Sequence, residues 1–511
     1  MFIFKIAEAA PNIDDVCVAS NNQLLGLCVA LAEVKAWSKL NTILGLFIEH
    51  NDTITLDLLL CSSPALTFAI ADMLAWSTYK LAKAVSSSVC VEPGHRYSKV
   101  PRLPAAQHPQ LEDISQLVCH VQPLMSLLDY HISENPYTYT QLIVLTERYI
   151  TQYSRSSDEI DVVCKVILLP LLRSLSVSGH NATYYSIQVW QVLRLLPFQM
   201  RFALYESLHS GAKPLLVMHA EKVALQGARH EMKRLAKENT KQIGRNLSKY
   251  LHSNPNVVTT HILNQIESFD NLVPYIVEAM KFTTDLSRDV CALSLVGKLK
   301  ANVSSKIKAG QTSYSPWFLS LSKFIATLYG KFPVTEVKGL LHYLLVSVKS
   351  GGSADLLVLK DLLGIMGGCT TLLDVSMMQL EGLAGGKVLR SEVLSSNSNS
   401  TVSAKQARKS GSILRDELLA SGTALPLLLF IAQIRSRVLF EQDEMPLKLI
   451  SQLYDTAQDV LMQFSDFLVT DGKALQSIAA VMPPLSVLVN DIRLSISVAF
   501  QLVRPLVRSA L

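Results

Sequence analysis

The chain has 511 residues, 49% of them hydrophobic and 17% charged, with a formal net charge of +5. That length and apolar content are enough for several domains and a substantial buried core, which excludes a chain disordered throughout. So small a charge over so long a chain does not announce a nucleic-acid binder, and any such role must sit in a local patch.

Residues 1–91 read as helices at Gln23–Leu40, Ile43–His50 and Ile54–Ala84, the last broken near Ser62-Ser63-Pro64. Apolar residues recur there at helical spacing, without sustained strand alternation. The segment 92–110 carries Pro93-Gly94, Pro101, Pro104 and Pro109 and is expected to be a linker. Helices resume over 111–228, with breaks expected near Asn135-Pro136 and between Ser176 and Asn181. The apolar helix Gln188–Leu196, carrying Trp190, is stopped by Pro197.

The most informative stretch runs from Arg229 to Pro255. Arg229, Lys233, Lys237, Lys241, Arg245 and Lys249 fall four apart, so each cation steps round a helix by about 40° and the row spirals over one broad side, joined by Arg234. Met232, Leu235, Ala236, Ile243, Leu247 and Tyr250 gather on the opposite face, as in a helix docked on a core. A solvated surface helix and a binding surface for phosphates or an acidic partner both fit this pattern. Glu231 and Glu238 dilute the field.

Asn254 is placed to cap the next helix, with Pro255 at its first position and Val257–Phe269 as its body. Short helices follow around Leu272–Lys281 and Asp285–Lys300. A loop from Asn302 to Tyr314 precedes Ser315-Pro316, a second cap-and-proline start that opens the helix of Trp317, Phe318 and Leu321. Pro333 and Gly351-Gly352 mark turns. Residues 391–412 are rich in Ser and Asn and are expected to form a mobile loop, and helices return over 413–511. Short polar connections between helices force antiparallel neighbours. The predicted fold is therefore all-α, an irregular α-solenoid of stacked antiparallel helices.

The run Lys233-Arg-Leu-Ala-Lys-Glu-Asn239, then Gly244-Arg245, His252-Ser-Asn-Pro255, Ile262-Leu-Asn-Gln-Ile266 and Phe269-Asp-Asn-Leu272, resembles the THO complex subunit 2 family. Upstream, Trp190, Leu193, Leu196-Pro197-Phe198, Arg201 and Leu204-Tyr205 are similar to a block of that family. Downstream, Asp355-Leu-Leu-Val-Leu-Lys360, Met378-Gln-Leu-Glu381, Ala424-Leu-Pro426, Leu453-Tyr-Asp455 and Gln463-Phe464 keep the family's order. The resemblance covers roughly residues 185–505. It implies a non-enzymatic nuclear scaffold that holds the other THO complex subunits in the transcription-export complex and acts in mRNA processing, mRNP assembly and mRNA export.

The resemblance also implies a middle-domain-like helical region over 229–390, in which the part from about 229 to 350 docks a DEAD-box RNA-dependent ATPase. Lys233, Arg234, Lys237, Arg245 and Asn254-Pro255 inherit a role there, in packing or in contact, while Trp190, Pro197 and Trp317 are expected in the core. Family members are usually longer, with helical segments before the counterpart of Met1 and a charged, largely disordered tail beyond that of Leu511. The alternative is an RNA-binding helical solenoid that uses the basic helix 229–249 to contact phosphates directly. Few aromatics interleave with its cations, which argues against recognition by base stacking.

Catalytic and metal signatures fail on inspection. His230-Glu231 lacks the second histidine of a zinc-protease helix, since Arg234 stands in its place, and Gly382-Leu-Ala-Gly-Gly-Lys387 has neither the spacing nor the Ser or Thr of a P-loop. Cys119-His120 has no orienting partner in sequence. The eight cysteines, widely scattered and without a Cys-x-x-Cys pair, read as buried reduced thiols. No catalytic, cofactor or metal residues are assigned. No membrane span is expected either, because the longest uncharged runs, Val16–Ala32, Leu418–Ile434 and Ala474–Asn490, are too short or interrupted.

Overall fold

The computed structural model describes residues 64–85, 113–152, 156–210, 213–301, 305–308, 313–369, 404–440, 446–469 and 472–510, with isolated positions besides. The chain is all-α with a solenoid-like order of helices, and among the described residues there is only one isolated bridge, Ile307 with Tyr314, and no strand. It divides into two compact units. The first comprises Met1–Lys233, Asn246–Val258 and Thr283–Ser287, the second Arg234–Arg245, Thr259–Phe282 and Arg288–Leu511.

The first unit contains α1 (Pro64–Val85), α2 (Leu117–Leu128), α3 (Pro136–Gln152), α4 (Ser157–Val163), α5 (Leu169–Val177), α6 (Ala182–Leu193), α7 (Phe198–Ser210) and α8 (Leu215–Lys233). Pro64 opens α1, as the Ser-Ser-Pro break predicts. The earlier predicted helices and the 92–110 linker lie almost wholly outside the described residues. Asn135 starts α3 through its side chain, whose Oδ1 accepts from the amides of Tyr137 and Thr138. Between α4 and α5 the residues Cys164–Leu168 form a π-turn. The core of this unit joins neighbours in the chain: the rings of Tyr139 on α3 and Tyr185 on α6 lie 4.2 Å apart. Their hydroxyls donate to the carbonyls of Leu171 and Ser133, so the rings are buried without an orphaned donor.

Three further helices, α9 (Thr240–Ser253), α10 (Pro255–Ser268) and α12 (Asp285–Ala301), have residues assigned to both units. The second unit holds α11 (Val273–Ala279), α13 (Pro316–Lys331), α14 (Lys338–Lys349), α15 (Leu356–Ile365), α16 (Ala404–Ala420), α17 (Ala424–Phe440), α18 (Leu447–Val469), α19 (Gly472–Val481), α20 (Leu485–Asn490) and α21 (Ile496–Ala510). Here α13 packs on α11, α15 and α16, and α18 on α15 and α17, around the buried rings of Phe318, Phe324, Tyr329, Phe464 and Phe467.

Several expectations need correction. The Ser- and Asn-rich segment becomes helical at Ala404, so 404–412 belong to α16, while 391–403 lie outside the described residues. The reason is packing: Ser410 is fully buried and donates to the Met366 carbonyl at 2.8 Å. Asn254 does hold the cap position of α10, its carbonyl accepting from the Val258 amide, but its side-chain Oδ1 has no partner. Ser315 precedes α13 as predicted, yet its hydroxyl donates to the Ser305 carbonyl at 2.6 Å instead of capping the helix.

That last bond belongs to a structure the sequence did not announce. Lys306, in the segment before α13, is buried and its ammonium reaches both carboxylate oxygens of Asp355, at 2.7 and 2.9 Å. Tyr343 and Ser347 on α14 also donate to Asp355, which stands at the start of α15. The rings of Phe318 and Tyr343 lie 5.7 and 5.6 Å from the ammonium. One buried ion pair thus ties the segment before α13 to α14 and α15.

No single described helix is long and apolar enough to cross a membrane. The apolar run Leu418–Ile434 is split at Gly422, whose φ of +64° suits glycine, and the flanking helices α16 and α17 bend by 93° there.

Candidate interaction surface

The stretch 229–255 is not one helix. α8 ends at Lys233, residues 234–239 form turns, and α9 begins at Thr240. Asn239 and Thr240 make the break: the Asn239 side chain accepts from the Ala236 amide at 2.8 Å and donates to the Arg234 carbonyl at 2.6 Å. The Thr240 hydroxyl donates to the Ala236 carbonyl, and the Asn239 carbonyl then accepts the first bond of α9, from Ile243. Short polar side chains that bond the nearby backbone compete with helix propagation in this way. The Asn-Thr pair ahead of Ile243 was a readable start signal, outweighed in sequence by the regular spacing of cations.

The continuous row therefore separates into two sets. Arg229, Lys233 and Lys249 belong to the first unit, Arg234, Lys237, Lys241 and Arg245 to the second, and all seven are exposed. Among the described residues, Arg229, Lys233, Arg234, Lys237 and Lys249 form no ion pair. The apolar face is mostly as predicted, with Met232, Ile243 and Leu247 buried and Leu235 and Tyr250 half-buried. Ala236 is exposed, because the turn removes it from the helix.

Two glycines set how closely these helices pack. In the first unit a Cβ on Gly227 would lie 2.3 Å from Cζ of Tyr250, so the tyrosine ring rests on the glycine. In the second, a Cβ on Gly244 would lie 2.9 Å from the Ala279 Cα and 3.1 Å from a ring carbon of Phe282. Neighbouring positions of α9 are thereby brought to that element: the Arg245 guanidinium lies 5.4 Å from the centre of the Phe282 ring.

Close by, Lys331 of α13 donates to the Glu278 carboxylate. This bond, with the charges of Lys281 and Lys241, holds the Glu278 carboxyl below the usual carboxylate range. The Arg288 guanidinium lies 5.1 Å from the centre of the Phe332 ring, next to Lys331. Several segments thus deliver cations to one half-exposed carboxylate. The spacing of Arg229 to Lys249 placed Lys241 and Arg245 on this surface, but Lys281, Arg288 and Lys331 were not singled out.

Elsewhere the resembling blocks prove to be contact sets. Arg201 is buried, donates to the Leu196 carbonyl at 2.8 Å and lies 5.5 Å from the centre of the Trp190 ring. Trp190 and Trp317 are half-buried and Pro197 is exposed, so none is fully in the core. Pro197 serves α7 by its carbonyl, which accepts from Met200 and Arg201, and Trp317 donates from its indole to Ser305. Of the described cysteines, Cys119 is exposed. Burial pushes the thiols of Cys164 up to about 11 and of Cys291 and Cys369 up to about 12, which suppresses thiolate chemistry. Among the described residues no group of His, Cys, Asp or Glu is placed to hold a metal ion.

Comparison with known proteins places this surface in a family frame. A family model described as the THO complex subunit 2 N-terminus matches residues 105–245, and one described as a transcription- and export-related complex subunit matches 247–322. The two meet inside α9. The chain is 30% identical over 501 residues, 95% of its own length, to the human protein named THO complex subunit 2. It is 34% identical over 349 residues to the protein of that name from Arabidopsis thaliana, covering 68% of this chain and 19% of that one. A third, from Saccharomyces cerevisiae, is 25% identical over 216 residues, 41% of this chain and 13% of that one. The chain spans about 30% of the length of the human relative. The similarity to it reaches well beyond residues 185–505.

Proposed function

The chain belongs to the THO complex subunit 2 family, and from that premise we propose that it is a non-enzymatic scaffold of a nuclear THO complex. In this reading its helical units bind other THO subunits and act in transcription-coupled mRNP assembly, mRNA processing and nuclear mRNA export. The region 229–350 docks a DEAD-box RNA-dependent ATPase and supplies no catalytic group of its own. The observation that carries the reading is similarity along 95% of the chain, not confined to one motif. The construction is suited to such work: helices held by buried aromatic clusters present exposed, charged faces to partners.

The test is recovery of partners from nuclear extract on the tagged chain, at two salt concentrations and with or without nuclease. Nuclease-resistant recovery of THO subunits and a DEAD-box ATPase is expected. Recovery of neither, from an intact helical chain, overturns the scaffold reading.

A further inference from the structure

The first unit leaves one helix with an apolar stripe on its outer side. α6 packs on α3 and α5 and buries Tyr185, Ser186, Val189, Val192 and Leu193. On its other side Tyr184 and Ile187, three residues apart, are 51% and 52% exposed. Leu195, in the tight turn that prolongs the helix, is 40% exposed. Apolar residues exposed singly are ordinary, but at these spacings the three share one side of a helix, with Gln191 between them. Tyr184 is also held in place. Its oxygen accepts from the Gln188 carboxamide at 2.7 Å, and Gln188 Oε1 accepts from the Thr140 hydroxyl of α3 at 3.3 Å. The hydroxyl hydrogen of Tyr184 then has no acceptor among the described residues, and Arg194, exposed beside Leu195, forms no ion pair among them.

We propose that this stripe, Tyr184, Ile187 and Leu195 with Arg194, docks an amphipathic α-helix of a partner protein whose apolar face is bordered by carboxylates. Exposed apolar side chains at helical spacing mesh with the ridges of a second helix. Tyr184 and Arg194 are both donors without acceptors, so the complementary border is acidic. Tyrosine and arginine are residue types in which interface energy concentrates, and a ring fixed before contact loses little entropy on docking. A second copy of this chain fits less well, because a two-fold pairing of α6 with itself sets donors against donors. RNA fits less well too: Tyr184 is the only exposed ring of α6, so successive bases find no second platform. The proposal deepens the scaffold reading and rests on it for the presence of a protein partner. Defined peptides test it apart from that reading, since recovery of THO subunits from extract can persist when the peptides fail to bind.

The test measures anisotropy of labelled helical peptides of about 20 residues with the full chain. One peptide carries Leu along one face and Glu on its border, a second has Lys in place of Glu, and a third scrambles the first so that no face forms. The Glu peptide should bind best. Ile187→Glu should weaken its binding about tenfold or more, since it places a like charge in the contact. Tyr184→Phe keeps the ring, removes the donor and should weaken binding about fivefold, the effect of one hydrogen bond. Arg194→Glu should exchange the preference, so that the Lys peptide binds better than the Glu peptide. Val334→Glu, at an 82% exposed position in the second unit, changes the net charge as Ile187→Glu does and should leave the affinity unchanged. Helix content by circular dichroism accompanies each variant, and the gain of the Lys peptide on Arg194→Glu cannot arise from misfolding. Equal binding of the scrambled peptide, no loss in Ile187→Glu, an equal loss in Val334→Glu, or no exchange of preference in Arg194→Glu overturns the proposal. So does a dimer in sedimentation equilibrium that Ile187→Glu abolishes, which would assign the face to a second copy.

Discussion

Two of the lysine–carboxylate pairs of the second unit differ in exposure, and the difference separates what holds the fold from what is available to partners. Lys306 and Asp355 are 2% and 3% exposed, and the carboxylate also accepts from Tyr343 and Ser347. Lys331 and Glu278 are 30% and 37% exposed, and Glu278 is surrounded by further cations instead of neutral donors. A buried charge must keep its partners, because removing one leaves the other desolvated. A surface pair is screened by water and can exchange its partner for another anion at little cost.

The sharpest way to break this contrast is to remove the lysine from each pair. Lys306→Met leaves the buried Asp355 carboxylate with only the neutral donors Tyr343 and Ser347 and is expected to destabilise the unit by about 3–5 kcal/mol. Lys331→Met should cost about 0–1 kcal/mol. Urea unfolding followed by far-ultraviolet circular dichroism measures both, with an early transition expected for Lys306→Met alone. Equal losses would mean that burial does not divide the pairs.

A second, smaller effect concerns how α9 is positioned against Ala279 and Phe282. Gly244→Ala places a methyl 2.9 Å from the Ala279 backbone, where no flexible side chain can yield, and should cost about 1–3 kcal/mol through overpacking. Gly297 also lies within a helix, α12, but a Cβ there meets nothing within 4 Å. Gly297→Ala should therefore stabilise by about 0.5–1 kcal/mol. Opposite shifts in thermal midpoint are the expected result, and a stabilising Gly244→Ala would mean that α9 does not need glycine to approach Ala279.

Much of the fold was legible in sequence because local chemistry decided it. Asn135-Pro136, Pro255, Asp285 and Ser315-Pro316 start helices where their residue types predict. What was not legible depends on distance. Lys306 stands in a loop with no periodicity, and its partner is 49 residues away. Asp355 heads an apolar run and reads equally well as an exposed first-turn acid. The basic stretch was misread for the converse reason: a regular four-residue spacing of cations persists through a turn that Asn239 and Thr240 impose. Its side-chain exposure was correct; its continuity was not. Likewise Lys331 and Glu278 are ordinary surface residues in sequence, and only the packing of α9, α11 and α13 makes them neighbours.

Acid titration sharpens the same comparison without altering packing. Glu278 has its carboxyl depressed by Lys331, so it contributes stability above its unfolded value, about 4.3, that is lost as pH falls through the folded one. Asp361 is the opposite case: burial raises it, although the Ser322 hydroxyl donates to it. Its ionised form therefore opposes folding at neutral pH, and that cost disappears in acid. Glu278→Gln should flatten the acid limb of the stability profile, while Asp361→Asn should stabilise at neutral pH and lose its advantage below. Profiles of the same sign would contradict the assignment of buried and exposed environments.

The smallest effect on stability is expected where the charge is largest. Replacing Lys237, Lys241 and Arg245 together by Glu changes the net charge by six but removes only exposed side chains. Arg245 loses its place over the Phe282 ring, worth about 0.5–1 kcal/mol for such a contact at the surface. Because Asn239 already interrupts the helix, the three positions are not one rigid face whose reversal would strain a long helix. Helix content, read by circular dichroism, should remain. Unfolding of this variant would mean that the cations are part of what the second unit packs with, and the division between a buried pair that stabilises and exposed cations that do not would have to be abandoned.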